Sequence, residues 1–145
     1  MQARDFMSET VYCCTRDTSL RDVARTMADC DCGAVPVVDD SEHKRVIGII
    51  TDRDIVVRTL ARDRNPLELA AGDCMTAQTI TVASDTSEEE LVRLMEEHQI
   101  RRVPVINRDG MCVGIVSQAD IARKGNEHEA AELLREVSRQ GRAAA

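Results

Sequence analysis

Gly48-Ile49-Ile50-Thr51-Asp52-Arg53-Asp54-Ile55 returns 66 positions later as Gly114-Ile115-Val116-Ser117-Gln118-Ala119-Asp120-Ile121, and this doubled octet decides the fold. Each copy opens on a glycine and two apolar residues, then sets a hydroxyl residue, two further residues and Asp. An apolar β-branched run ending on Thr or Ser, with an acid three residues on, reads as a strand passing into a capped helix. Working outward, Val35-Pro36-Val37-Val38 recurs as Val103-Pro104-Val105-Ile106 at an offset of 68. Asp17-Thr18-Ser19 recurs as Asp85-Thr86-Ser87, Met27 as Met95, and Met7-Ser8 as Met75-Thr76 at that same offset. The change from 68 to 66 falls in a hairpin that is shorter in the second copy. An offset held across separate elements marks an internal duplication, so any site exists in two versions.

Around the octets the pattern predicts strand, helix, strand, strand, helix in each copy. In the first, Thr10 to Thr15 reads as a lead strand and Asp17-Thr18-Ser19 offers N-cap side chains. Leu20, Val23, Ala24 and Met27 then form one helix face, which Gly33 closes. Val35 to Val38 and Val46 to Thr51 are strands around the polar stretch Asp39 to Lys44. Thr51 or Asp52 caps a helix running through Ile55, Val56 and Leu60. In the second copy Thr79 to Ala83 is the lead strand, and Leu91, Leu94, Met95 and His98 mark the apolar side of its helix. Val103 to Asn107 and Met111 to Ser117 make a hairpin about Asn107-Arg108-Asp109-Gly110, and Ile121 with Ala122 starts the closing helix. The expected boundaries are 5–63 for the first repeat, 64–74 for a linker broken by Asn65-Pro66 and Ala71-Gly72, and 75–125 for the second repeat. Residues 126–145 form a helical extension. Its Ala130, Leu133, Leu134 and Val137 suit a surface helix lying on its own domain.

Composition narrows the function. The 145 residues carry a net charge of −7, and Phe6 and Tyr12 are the only aromatics. Few aromatics argue against stacking single-stranded nucleic acid, and the negative balance argues against nonspecific binding to polyanions. No apolar run approaches a membrane span and Met1-Gln2-Ala3-Arg4-Asp5 is polar, so the expectation is a cytoplasmic chain with neither nucleic-acid nor membrane partners. Six cysteines stand at 13, 14, 30, 32, 74 and 112 without a C-x-x-C pair. In a cytosolic protein they read as reduced thiols, with no metal site. No nucleophile–base pair, metal signature or glycine-rich phosphate loop stands out, so no catalytic residues and no enzyme activity are expected.

The octets carry the chemistry. A hydroxyl at a helix entrance, with the free N–H groups of the first turn, can hold a phosphate. One turn on, a carboxylate can accept from two vicinal hydroxyls. Together these contacts describe a ribonucleotide. The plainer reading, that Thr51 and Ser117 are N-caps with Asp54 and Asp120 favouring the helix dipole, stands beside it.

With Met75-Thr76, Thr81-Val82, Asp85-Thr86-Ser87, Arg102-Val103-Pro104-Val105, the second octet and their first-copy equivalents, the chain resembles a tandem pair of cystathionine β-synthase (CBS) domains, a Bateman module, over about residues 5 to 125. The resemblance implies an α/β (α+β) fold. Two β-α-β-β-α repeats pack with pseudo-twofold symmetry, followed by the C-terminal helix, with two ligand clefts between the units. It implies an adenosine-containing regulatory ligand: AMP, ADP, ATP, S-adenosylmethionine or NAD. Asp54 and Asp120 would hold ribose, and Thr51 and Ser117 would contact phosphate or ribose. Val11-Tyr12, Thr79-Ile80, Val35-Pro36 and Val103-Pro104 would wall the adenine. It also implies a homodimer.

The copies differ in charge. Arg101 and Arg102 of the second correspond to Gly33 and Ala34 of the first, whereas the first octet carries Arg53 opposite Ala119. Guanidinium groups suit phosphate oxygens, so a phosphorylated ligand is expected first beside Ser117 and Asp120. The expected function is a non-catalytic sensor that relays occupancy through dimer geometry to a regulated protein. Two alternatives remain: an interaction scaffold with vestigial clefts, and a thiol or metal redox sensor using Cys30 and Cys32.

Overall fold

The computed structural model describes residues 1–9, 12–125 and 127–143. In chain order the elements are α1 (Ala3–Phe6), β1 (Cys14–Thr15), α2 (Leu20–Cys30), β2 (Ala34–Val38), β3 (Val46–Thr51), α3 (Asp52–Arg58), α4 (Ala71–Cys74), β4 (Thr76–Ala77), β5 (Val82–Ala83), α5 (Glu88–His98), β6 (Arg102–Ile106), β7 (Cys112–Ser117), α6 (Gln118–Lys124) and α7 (Glu127–Ala143), with 3-10 turns at Leu60–Arg62 and Pro66–Glu68. Two sheets result, ordered β1-β2-β3-β4 and β5-β6-β7. The duplicated, mixed α/β architecture is the one the octets announce.

The compact units do not follow the boundaries drawn from the sequence. One comprises Val11–Thr79 with Gly110–Cys112; the other comprises Met1–Thr10, Ile80–Asp109 and Val113–Ala145. Each repeat's leading segment is thus folded into the unit of the other repeat. Strand edges explain the exchange, because an unpaired edge exposes a row of N–H and C=O groups that must be satisfied. On β3, β4 supplies the antiparallel partner, with Gly48 opposite Ala77 and Ile49 opposite Thr76. On β7, Ser8 bridges Ile115, its N–H donating to the Ile115 carbonyl at 3.0 Å. The glycine that opens each octet makes room for these segments. A Cβ on Gly48 would stand 2.6 Å from the Thr76 carbonyl oxygen, and one on Gly114 would stand 2.9 Å from the Met7 Cβ.

In the first-repeat unit, β2 runs parallel to β1 and antiparallel to β3, with a bulge at Val37/Val38. Leu20, Val23 and Met27 of α2 pack with Ala71 and Cys74 of α4 on Val35, Val37 and Ile50. Full burial of aliphatic side chains of this size stabilises by about 2 kcal/mol each. Ala24 is exposed, outside this stripe of one residue per turn. Ser19 caps α2, its Oγ accepting from the Asp22 N–H at 3.1 Å. Asp31 ends the helix in the left-handed region (φ 51°), a conformation aspartate tolerates, so the helix closes two residues before Gly33. The third helix stops at Arg58, short of Leu60, and Val56 and Leu60 are exposed.

In the second-repeat unit, Leu91, Val92 and Met95 of α5 pack with Phe6, Val103, Val105, Val116 and Ile121. His98 lies outside this core and is exposed, because α5 ends there and Gln99 turns away at φ 51°. A histidine in a last turn also suits the helix dipole. Ala122 is likewise exposed. The final helix lies on α5 and α6, burying Ala130, Leu133 and Val137 and exposing Leu134.

Both lead strands are shorter than their β-branched runs suggest. Only Cys14–Thr15 and Val82–Ala83 pair, with Val37–Val38 and Val105–Ile106 respectively. One step upstream the register falls on Pro36 or Pro104, which has no N–H to offer a ladder. Thr10 and Val11 lie outside the described residues; Tyr12, Thr79 and Ile80 are in no strand.

Candidate functional site

Each octet places its hydroxyl residue at the end of a strand, β3 or β7, and its aspartate in the first turn of the following helix. Thr51 (φ −113°, ψ 162°) and Ser117 (φ −109°, ψ 161°) take nearly the same extended conformation. Thr51 Oγ1 accepts from the Asp54 N–H at 3.0 Å while Asp54 Oδ2 accepts from the Thr51 N–H at 3.0 Å. In the second copy Ser117 Oγ accepts from the Asp120 N–H at 3.2 Å, and Asp120 Oδ2 accepts from the Ser117 N–H at 2.8 Å. These reciprocal capping boxes satisfy two backbone donors that a bare helix start leaves unpaired. The N-cap reading therefore holds at both junctions, and it leaves each aspartate's Oδ1 outside the cap.

The surroundings of Oδ1 separate the copies. Asp54 Oδ1 is 3.9 Å from Arg58 Nη2, a loose approach. Arg58 spends its donors elsewhere: Nη1 donates to the Cys74 and Met75 carbonyls at 3.0 and 2.7 Å, and Nη2 to Thr76 Oγ1 at 3.3 Å. Asp120 Oδ1, by contrast, accepts directly from Arg123 Nη2, and Ser117 Oγ also donates to Asp120 Oδ2 at 2.8 Å. Neither Arg58 nor Arg123 was singled out by repeat matching, although an arginine three or four residues beyond a helix acid is a readable ion-pair signal.

The neighbouring strand reaches the helix entrance in the same way twice. Asp52 N–H donates to the Gly33 carbonyl at 3.1 Å, and Gln118 N–H to the Arg101 carbonyl at 2.9 Å. Ala34 pairs with Thr51 across the ladder. The second junction is therefore flanked by the Arg101–Arg102 backbone where the first has Gly33–Ala34. Arg102 is half-buried and Arg101 exposed. Gln118 Oε1 is shielded from solvent and has no donor. Arg53 is exposed, its N–H donating to Asp52 Oδ1 at 2.8 Å.

The remaining expected wall residues divide. Val35 and Val103 are core residues, 1 % and 0 % exposed, and Pro36 and Pro104 are buried beside them. Tyr12 is 52 % exposed, Thr79 and Ile80 are half-buried, and Val11 lies outside the described residues. Among the cysteines, Cys32 and Cys30 approach to 3.5 Å between sulfurs, and the Cys30 thiol also donates to the Thr26 carbonyl. Among the described residues no three His, Cys, Asp or Glu side chains converge for a metal ion, and no helix is long and apolar enough to cross a membrane.

Known proteins resemble the chain in sequence and fold. The chain is 38% identical over 135 residues to Hypoxic response protein 1 of Mycobacterium tuberculosis, covering 93% of this chain and 92% of that one. The crystal structure of Hypoxic Response Protein I with two coordinated zinc ions matches with a TM-score of 0.76 and 40% identity, over 87% of this chain and 100% of that chain. The CBS domain pair of protein MJ0100, in complex with 5′-methylthioadenosine and S-adenosyl-L-methionine, matches with a TM-score of 0.73 and 28% identity over 85% of this chain and 98% of that chain. The CBS domain family itself matches twice, at residues 3–60 and 71–127, beginning each time with the exchanged leading segment. The chain belongs to the CBS domain family and is a tandem CBS pair, a Bateman module.

Proposed function

We propose that the chain is a regulatory module that binds an adenosine-containing ligand at its hydroxyl-x-x-aspartate junctions and relays occupancy to a partner, without catalysis of its own. The observation that carries this reading is the paired junction. In both copies the cap engages Oδ2 and leaves Oδ1 outside it, one helical turn in: at Asp54 with only a loose approach from Arg58, and at Asp120 shared with the exposed Arg123, which a ribose hydroxyl would have to displace or join. The related pair bound to 5′-methylthioadenosine and S-adenosylmethionine, at 28% identity, supports the ligand class. The half-buried Arg102 and exposed Arg101 favour a phosphorylated ligand (AMP, ADP or ATP) at the second junction. The first, with Gly33 and Ala34 there, suits a less charged adenosyl group. Arg53, exposed on the first turn of α3, can approach a ligand from the helix side. A ligand acts through such a module by binding one arrangement better than another, which a homodimer or a regulated protein then reads.

The test is calorimetric titration of nucleotide-stripped protein with AMP, ADP, ATP, NAD and S-adenosylmethionine. Asp54→Asn and Asp120→Asn variants serve as partners, since asparagine retains an acceptor for the cap while removing the charge. Saturable binding by the parent, weakened at least about tenfold in a folded variant, is expected. Binding of none of the five by folded protein would sink the reading and favour an interaction scaffold.

A further inference from the structure

Cys14, Cys74 and Cys112 are buried, whereas Cys13, Cys30 and Cys32 keep part of their surface in solvent. Burial above all pushes the Cys14 thiol up to about 12, so it stays protonated and inert near neutral pH. Among the partly exposed thiols, Cys30 and Cys32 are distinguished by contact between their sulfurs, 3.5 Å apart.

The end of α2 builds that contact. Cys30 is the last helical residue, and its thiol donates back to the Thr26 carbonyl, which lays the side chain along the final turn. Asp31 then takes the left-handed conformation (φ 51°, ψ 49°) and the chain doubles back. The N–H groups of Asp31 and Cys32 both donate to the Met27 carbonyl, the second at 3.0 Å. In a continuing helix, residues two apart do not face each other. Here the reversal carries the Cys32 thiol round to donate to the Cys30 sulfur. Consecutive Cα atoms are about 3.8 Å apart, so across a tight turn two residues on they stand about 5–6 Å apart, inside the span of about 4.4–6.8 Å that a disulfide bridges. The sulfurs need to close by about 1.5 Å, which rotation about a Cα–Cβ bond supplies. The pair also borders the first junction, because the next residue, Gly33, accepts from the Asp52 N–H at the entrance of α3.

We propose that Cys30 and Cys32 form a redox-active dithiol that a low-molecular-weight disulfide closes to an intrachain disulfide. In the first step one of the two, as thiolate, attacks a sulfur of the small disulfide. The S–S bond of that molecule breaks, one small thiol leaves with a proton, and the protein holds a mixed disulfide. In the second, the neighbouring cysteine loses its proton and attacks the protein sulfur of the mixed disulfide. The bond to the small group breaks, and that group leaves as a second thiol carrying the proton. Two electrons pass from the cysteines to the small disulfide. A partly exposed bridge closed through only three residues is labile, so excess small thiol reverses both steps.

The experiment treats reduced, metal-stripped full-length protein with a few equivalents of oxidised glutathione, alkylates the remaining thiols and maps unreduced tryptic peptides. The peptide 26–44, released by cleavage after Arg25 and Lys44, is expected to be lighter by two hydrogen atoms and to carry no alkyl group. Excess reduced glutathione should restore both thiols. At least one of Cys32→Ser and Cys30→Ser should stop at the mixed disulfide, with one glutathionyl group on its remaining cysteine, and that variant identifies the attacking sulfur. Should a variant not fold, the map of the parent decides. Two alkyl groups on 26–44, two glutathionyl groups there without a bridge, a bridge joining two chains, or a bridge between any other pair of cysteines would overturn the assignment.

Discussion

The two compact units share an element order, a capping geometry and a strand glycine, yet they have parted in side-chain chemistry. All six cysteines lie in the first-repeat unit, Cys112 being brought there by the start of β7. The half-buried Arg102 and the Asp120–Arg123 ion pair lie in the second. In the first unit, Arg58, four residues beyond the aspartate, ties a neighbouring segment down through three donors; in the second, Arg123, three residues beyond its aspartate and opposite Val57 in the repeat, holds the aspartate itself. After a duplication, backbone-directed interactions keep each unit folded, whereas side chains at the helix entrance are free to diverge.

The sharpest way to break this comparison is at the paired glycines. Gly48→Ala forces a Cβ against a backbone carbonyl that is fixed in the β3–β4 ladder, and should destabilise by about 3 kcal/mol in urea unfolding. Gly114→Ala meets mainly the Met7 side chain, which can move, and should cost about 1 kcal/mol. Equal losses would mean that the two leading segments are held alike. Next come the arginines. Arg58→Met keeps the stem but strands the Cys74 and Met75 carbonyls, for an expected loss of about 1–2 kcal/mol after allowance for partial exposure. Arg123→Met removes only an ion pair whose arginine is 68% exposed, and should change stability by less than about 0.5 kcal/mol. Its interest lies in titration: freeing Asp120 Oδ1 should strengthen any diol contact there.

A smaller contrast concerns the caps. Thr51→Ala and Ser117→Ala should each cost about 1 kcal/mol, with Ser117→Ala the costlier because Ser117 also donates to its aspartate. The smallest is a pH effect confined to the first-repeat unit. Folded Cys14 keeps its proton to about 12, while the unfolded thiol loses it near 9.0. The folded state therefore binds more protons in that window. The stability from Cys14 is intact below 9.0 and falls as pH climbs from 9.0 toward 12. Unfolding of the Cys14→Ala variant should lack that alkaline decline.

The duplication and the capped junctions were legible because short-range patterns carry them. A hydroxyl three residues before an acid caps a helix whatever surrounds it, and strand alternation needs only local sequence. Ala24 and His98 were misread because period counting cannot weigh a helix's end or the width of its buried stripe. The helix stop at Asp31 was hidden behind a nearby glycine, the stronger signal. The exchange of leading segments was illegible, since Met7-Ser8 and Met75-Thr76 look alike and nothing in either string says which edge it covers.

That exchange sets the order in which the chain can be completed as it leaves the ribosome. The β3 edge finds its partner once residues 76–77 emerge, so the first-repeat sheet closes midway through synthesis. Ala3–Phe6 and Ser8, made before their partners, must wait for Ser84, Thr86 and Ile115 before their backbone groups are met. A segment made ahead of the first-repeat unit is thus among the last to be buried. A truncation before residue 115 would leave the first residues with an apolar Phe6 and part of their backbone uncovered, a mark by which quality control can recognise an unfinished chain.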